Sequence, residues 1–445
     1  MSAKSFRLLS IALVLVFLFT ACGQAAPATN STNAKVNMTF WWWAESDAPG
    51  ADAWMTETVA AYKLIKPNVT INIVPQSTDT LISAFQSAVT ANSGPDLASQ
   101  WATGPTLGFV WQNAVVPVSD YVPAAEMKNW LNTNENTYNG KVWGASMYLI
   151  GIEIMYNKTM FAQAGVTPPA SGRWTWAEFL DACAKLKAAG ITPFVAGDKD
   201  GYNGAWWFSH VGMQSLDSTE DLRQAIIGNK DFSDPHYTGW YAALDDMVKK
   251  GYFNQDVMSL DLSQGAQAFS QGKGAMAWGT DGMIKQALTD LGGDSKVGVM
   301  RTPTYGTGKL ADAGNATQST TFFITKWAKN PQEAANFLVF MHSPDRLASW
   351  YKHTGVIAAD ARFDRTLVTD PVLQQMMQWE TTGTQIWLEN FLPGQVDSDA
   401  DLAAGQEIFS QSGSPSDVAA LWQRSASTWR NQHPDELTNW KNWQQ

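Results

Sequence analysis

Apolar and polar positions alternate along the first part of the chain in two distinct periods. Val36 to Trp42 (Val-Asn-Met-Thr-Phe-Trp-Trp) has the two-residue period of a strand, and Val69 to Val74 (Val-Thr-Ile-Asn-Ile-Val) repeats it after Pro67. Asp52 to Tyr62 between them has the helical period. Asp79 to Ala91 has it again, with Asp79 placed as its cap, before a Gly94-Pro95-Asp96 turn. Trp174 to Ala189 predicts a helix with Thr175 as cap, Glu178 three positions on to complete a capping box, and Gly190 as its stop. Pro331 to Met341 predicts another behind Asn330. Thr384 to Phe391, Ala400 to Phe409 and Asp417 to Trp429 predict a helical C-terminal region. Strands alternating with helices argue for α/β layers.

The N-terminus follows a different pattern. Lys4 and Arg7 precede an apolar run from Leu8 to Phe19, and Thr20-Ala21-Cys22 follows. That is the layout of a secretory signal, too short to span a bilayer of about 30 Å. The small residues before Cys22 resemble the lipobox of bacterial lipoproteins, with Phe19 where Leu is usual. The resemblance implies removal of residues 1–21 and lipidation of Cys22. Residues 22–35, small and polar, then read as a tether. The location implied is the bacterial cell envelope, lipid-anchored on the outer face of the cytoplasmic membrane or in the periplasm.

Composition narrows the function. The 445 residues exceed one ordinary core and suggest two domains. A formal net charge of −11 excludes a nucleic-acid partner, which needs a basic footprint. With Cys22 lipidated, Cys183 stands alone on the apolar face of a helix with Trp176, Phe179, Leu180 and Leu186, where it reads as a buried hydrophobe. Core packing explains some of the 22 tryptophans, but several neighbour amides, carboxylates and glycines, as in Gln100-Trp101 and Trp278-Gly279-Thr280-Asp281. Aromatic plates beside hydrogen-bonding groups suit pyranose rings, whose C–H faces stack while their hydroxyls find acceptors.

Five stretches in order resemble the bacterial extracellular solute-binding proteins of family 1, the maltose-binding-protein-like receptors of ABC sugar importers. They are Ser93-Gly94-Pro95-Asp96; Asn139 to Gly144 with Tyr156-Asn157-Lys158 and Phe161 to Gly165; Pro168-Pro169 with Trp174 to Phe179; Phe269 to Met276; and Ile324 to Ala335. Trp143 replaces the family's usual Tyr, and Ala170 to Arg173 is a small insertion.

The resemblance implies an α/β fold of the class II periplasmic-binding-protein type. Its two lobes would be residues 36–147 with 319–358, and residues 151–317 with 361–445. They would join at a hinge of strands crossing near Met147–Gly151, Gln318–Thr321 and Ala358–Asp360. It further implies a monomeric, non-enzymatic receptor that closes on a sugar and hands it to the transmembrane subunits of an ABC permease, with no cofactor or metal.

On that frame the candidate ligand residues are those at strand ends, where open α/β sheets hold ligands. They are Trp42, Trp43 and Glu45 after the first strand, with alternation requiring only one of the two tryptophans, and Gln100 and Trp101 after the next. Tyr148 lies at a crossing, where packing is its other reading. Trp206 and Trp207 follow the loop Gly197 to Gly204. Trp278 and Asp281 follow the Ala275-Met276 strand, where the family more often carries a stacking Trp just after the glycine. Trp387 and Asn390 are C-terminal candidates. Two rival readings stand beside this one. A same-fold binder of a polyamine or phosphorylated solute would want an acidic or a basic pocket respectively. A glycoside hydrolase would need two carboxylates across the scissile bond. Neither a Gly-x-Ser-x-Gly elbow nor a His-Glu-x-x-His run occurs in the sequence.

Overall fold

The computed structural model describes residues 34–317 and 320–443. The expected signal segment and Cys22 lie outside the described residues, as do Gln318 and Ser319 at one expected crossing. Among the described residues no helix is long and apolar enough to cross a membrane.

Two sheets organise the chain from Val36 onward. The first has the order β2-β1-β3-β11-β4, from β1 (Val36–Trp42), β2 (Val69–Pro75), β3 (Leu97–Trp101), β4 (Val115–Val116) and β11 (Thr320–Thr325). β1 runs parallel to β2 and β3, while β11 is antiparallel to β3 and β4. β5 (Thr137–Tyr138) and β6 (Lys141–Val142) form a small hairpin. In the second sheet β7 (Ile150–Asn157) lies antiparallel to β8 (Met276–Thr280), β9 (Val297–Met300) and β10 (Ala316–Thr317). All eight residues of β7 are buried, as expected of a central strand covered on both faces.

The chain passes from the first sheet to the second between Ala145 and Ile150. Ala145 bridges Phe322 of the first sheet, and five residues later Ile150 pairs with Thr317 of the second. Between them Tyr148 bridges Ala358, with the Leu149 amide donating to the Ile357 carbonyl at 3.0 Å and the Ala359 amide to Met147 at 2.9 Å. Segments far apart in sequence thus satisfy one another's backbone polar groups at the junction.

Most predicted elements form, with bounds moved by a few residues. The capping box at Thr175 and Glu178 is present and opens the helix Trp176–Ala188, which buries Phe179, Cys183 and Leu186. Burial pushes the Cys183 thiol far up, so it is an inert packing group. Three expectations change. Asp79 falls within a single 3-10 turn, Thr78–Thr80, and the helix begins at Leu81. Thr384 to Phe391 is not a helix. Its backbone pairs with Gly314, whose amide donates to Thr384 and whose carbonyl accepts from Ile386, leaving only a 3-10 turn at Leu388–Phe391. The helix expected from Ala400 instead follows a π-helical turn, Asp397–Leu402, that leads into Ala403–Phe409. This stretch packs on the helix Tyr202–His210 because Gly204 and Gly405 meet there, where either Cβ would strike backbone.

Candidate ligand-binding cleft

A cleft of about 850 Å³ opens between the ends of β1 and β3 on one side and the helix Tyr202–His210 with the 387–402 segment on the other. Its volume suits a small-molecule site, about 300–1,000 Å³.

The first wall starts where β1 ends. Trp43 is held by its amide on Ser99 Oγ at 3.1 Å and by its indole N–H on Thr78 Oγ1 at 3.0 Å. Trp101, at the end of β3, meets it edge-on at 6.0 Å. Ser46, Asp47, Ser77, Thr78 and Ser83 surround these rings. The facing wall presents Tyr202 and Trp206, one helical turn apart, and Trp387, which meets Trp206 edge-on at 6.0 Å. Tyr202 reaches Trp101 at 6.1 Å, so the two walls touch through aromatic edges. Ile150, Ile152 and Met283 line the cleft beside Thr317 and Asn390, and the Asn390 amide approaches Thr317 Oγ1 at 3.4 Å.

Five expected residues therefore line the cleft: Trp43, Trp101, Trp206, Trp387 and Asn390. The other seven are placed elsewhere, each for a visible reason. Trp42 points to the opposite face of β1 from Trp43, stacks near Phe322 at 5.1 Å and donates to Asp52 at 2.8 Å. Glu45 accepts from the Gly50 and Asp52 amides at 2.9 and 2.8 Å, capping the helix Ala51–Ile65. Gln100 is fully buried and donates to the Leu81 carbonyl at 2.9 Å. Tyr148 lies flat on Trp350 at 5.0 Å with its hydroxyl 2.9 Å from Thr320 Oγ1.

Trp207 is one position, or 100°, round the helix from Trp206 and packs inward on Trp278 at 5.3 Å. Trp278 itself lies against His210 in the core. Asp281 is buried, accepts from the Gly151 amide at 3.0 Å and abuts Glu380. Burial pushes Asp281 up to about 6 and Glu380 well above the carboxylate range, so this pair holds a proton and fastens the start of β7.

Sequence reasoning missed the acidic side of the cleft: Asp200, Asp261, Glu389 and Asp397, with Lys199 as the one cation among its lining residues. Asp200 lies in the loop already singled out before Trp206. Nothing in the run Gly394 to Leu402 marks Asp397, because it is turned toward the cleft by a π-helical turn. Asp261 caps the helix Leu262–Ser270, accepting from Gln264 at 2.8 Å. Among the described residues no group of His, Cys, Asp or Glu could hold a metal ion.

A sequence profile described as bacterial extracellular solute-binding protein matches residues 46–346. The sn-glycerol-3-phosphate-binding periplasmic protein UgpB of Shigella flexneri is 28% identical over 234 residues, 48% of each chain. A structure from work on xylan utilisation by Caldanaerobius polysaccharolyticus superposes with a TM-score of 0.75 at 23% identity, over 87% of this chain and 99% of that one. A chitin oligosaccharide binding protein does so at 0.79 and 18%, over 88% and 98%. These likenesses establish a two-lobed periplasmic-binding-protein fold.

Proposed function

Because the chain belongs to the bacterial extracellular solute-binding protein family, we propose that it is the extracytoplasmic carbohydrate receptor of an ABC importer. It captures a sugar by closing two lobes, residues 36–147 with 319–358 on residues 151–317 with 361–445, and delivers it to the permease. The observation that carries this reading is the set of five aromatic rings, Trp43, Trp101, Tyr202, Trp206 and Trp387, lining one cleft among hydroxyls, an amide and carboxylates. The rings take C–H faces of pyranoses and the polar groups take hydroxyls. The chitin oligosaccharide binding protein and the structure tied to xylan utilisation support the same ligand class.

A phosphorylated ligand, as the name of UgpB suggests for that protein, is disfavoured here. Lys199 alone would face it among five lining carboxylates. Binding rather than cleavage is the activity, and lipid on Cys22 would hold the receptor at the membrane.

Closure gains only as much as the ligand's preference for the closed state. A thermal-shift screen of the purified protein against mono- and oligosaccharides tests the reading. A matching sugar at 100 times its Kd raises stability by about 2.7 kcal/mol and is recovered intact. A sugar recovered cleaved makes the protein an enzyme, and a shift from glycerol phosphate with none from sugars overturns the sugar reading.

A further inference from the structure

The charge of the cleft is one-sided, and a neutral ligand leaves that unexplained. Of its carboxylates, Asp261 is spent on a helix cap, Asp200 accepts from the Leu262 amide at 3.2 Å through Oδ2 while its Oδ1 has no partner, and Asp47 lies 3.4 Å from the Tyr148 hydroxyl. Glu389 and Asp397 differ. Asp397 is only 6% exposed, lines the cleft, and has an Oδ1 with no hydrogen-bond partner; Glu389 Oε2 has none either. Behind them Asp401 is wholly buried with neither oxygen partnered, and Asp198 adds a fourth carboxyl, its Oδ2 unpartnered. No lysine or arginine is among the groups acting on any of the four.

Buried polar atoms are nearly always paired, and a set that is not calls for a partner. Metal-ligating geometry is absent among the described residues. Aromatic surroundings are present, with the Trp387 indole hydrogen-bonded to Glu389 and Trp206 beside it. Carboxylates against aromatic faces are the surroundings in which an organic ammonium is held.

We propose that the ligand of this cleft carries a protonated amine, as an amino sugar or a polyamine does, and that its ammonium lies between Glu389 and Asp397 beside the Trp206–Trp387 pair. The inference rests on the cleft being the binding site. Burial pushes Asp397 up to about 7 and Glu389 well above the carboxylate range; Asp397 and Asp47 add repulsion at Glu389, which the Trp387 indole partly offsets, and Asp198 adds repulsion at Asp401 behind them, while Lys199 is the one cation lining the cleft. The empty pair therefore holds protons near neutrality. An ammonium favours the charged carboxylates, so binding releases a proton. A sugar hydroxyl, which donates to a neutral carboxyl as well as to a charged one, releases none.

Calorimetry on the purified protein tests this with chitosan oligosaccharides of two to four units, their N-acetylated counterparts, and spermidine. Each is titrated in two buffers of different ionisation enthalpy. An amine probe is expected to bind at least about ten-fold tighter than its N-acetylated counterpart and to release protons. Asp397→Asn should weaken it roughly 30-fold or more, as truncating one partner of a buried charge pair does. The empty variant should melt no lower than the parent, because it loses an unpaired buried carboxyl. Glu389→Gln repeats the test, and proton release needs no variant at all. Response to chitosan upholds the amine and the sugar together, whereas response to spermidine alone upholds the amine and removes the sugar. Equal binding of the N-acetylated probe, unaffected by Asp397→Asn, overturns the amine and keeps the sugar. Silence from both amines, or stabilisation by calcium ion alone, overturns the inference.

Discussion

The wall of the cleft built from residues 43–101 carries two tryptophans, a row of Ser and Thr hydroxyls and one carboxylate, Asp47. The wall built from residues 199–402 carries two tryptophans and a tyrosine, but also Asp200, Asp261, Glu389 and Asp397 against Lys199. Both offer plates for a ring to stack on. They differ in polarity: the first is mostly hydroxyls, which under the proposed function would orient a neutral ligand, and the second mostly carboxylates, which would select by charge. The difference also has a structural origin. The first wall is made of strand ends, where backbone pairing fixes the residues and the Trp43 indole is tied to the Thr78 hydroxyl. The second is made of a helix and a π-helical turn, held by the Gly204–Gly405 approach. A ligand that needs both walls is what would draw them together.

The largest way to break the comparison is to remove rings. Trp278→Ala and Trp207→Ala strike the core behind the second wall and should cost about 3–5 kcal/mol of folding stability, read by denaturant titration. Trp43→Ala or Trp206→Ala should leave folding far less changed and weaken ligand binding about 10- to 100-fold, read by calorimetry. If the four variants show one common pattern, the division of adjacent tryptophans between core and cleft is wrong.

A change of pH separates the walls next. Asp397 is raised from 3.8 to about 7 when folded, so the folded protein holds a proton that the unfolded chain gives up more readily. The stability tied to it is fully present below about pH 4 and is lost as pH rises toward 7. The melting temperature of the empty protein should fall across that window, and Asp397→Asn should flatten the fall. Glu153, raised by burial to about 8, supplies a part of the slope that the variant keeps.

The smallest effect concerns Lys199, which is solvent-exposed at the rim. Lys199→Ala should tighten an amine ligand about two- to three-fold and leave a neutral one unmoved, since exposed charges contribute under about 1 kcal/mol. An effect on neutral sugars alone would show that the second wall does not select by charge.

The sequence by itself determined the first two strands, several of the longer helices and the family, because those rest on local periods and turn residues. Val36–Trp42 and the Thr175–Glu178 capping box are examples. It also named the tryptophans from which the cleft is built. Alternation along β1 already required that Trp42 and Trp43 part company, but only the packed sheet decided that Trp43 faces the cleft while Trp42 meets Phe322 and Asp52. Likewise 100° of helix separates Trp206 from Trp207, and the position of β8 beneath decides which turns inward. Glu45 read as a ligand group because its side chain suits one, yet two backbone amides of the next helix reach it first. The acidic cluster was illegible for a stronger reason. Glu389, Asp397, Asp401 and Asp198 come from separate stretches brought together by a π-helical turn and a glycine–glycine contact. Their shared burial, which gives them their chemistry, exists only once those stretches are packed.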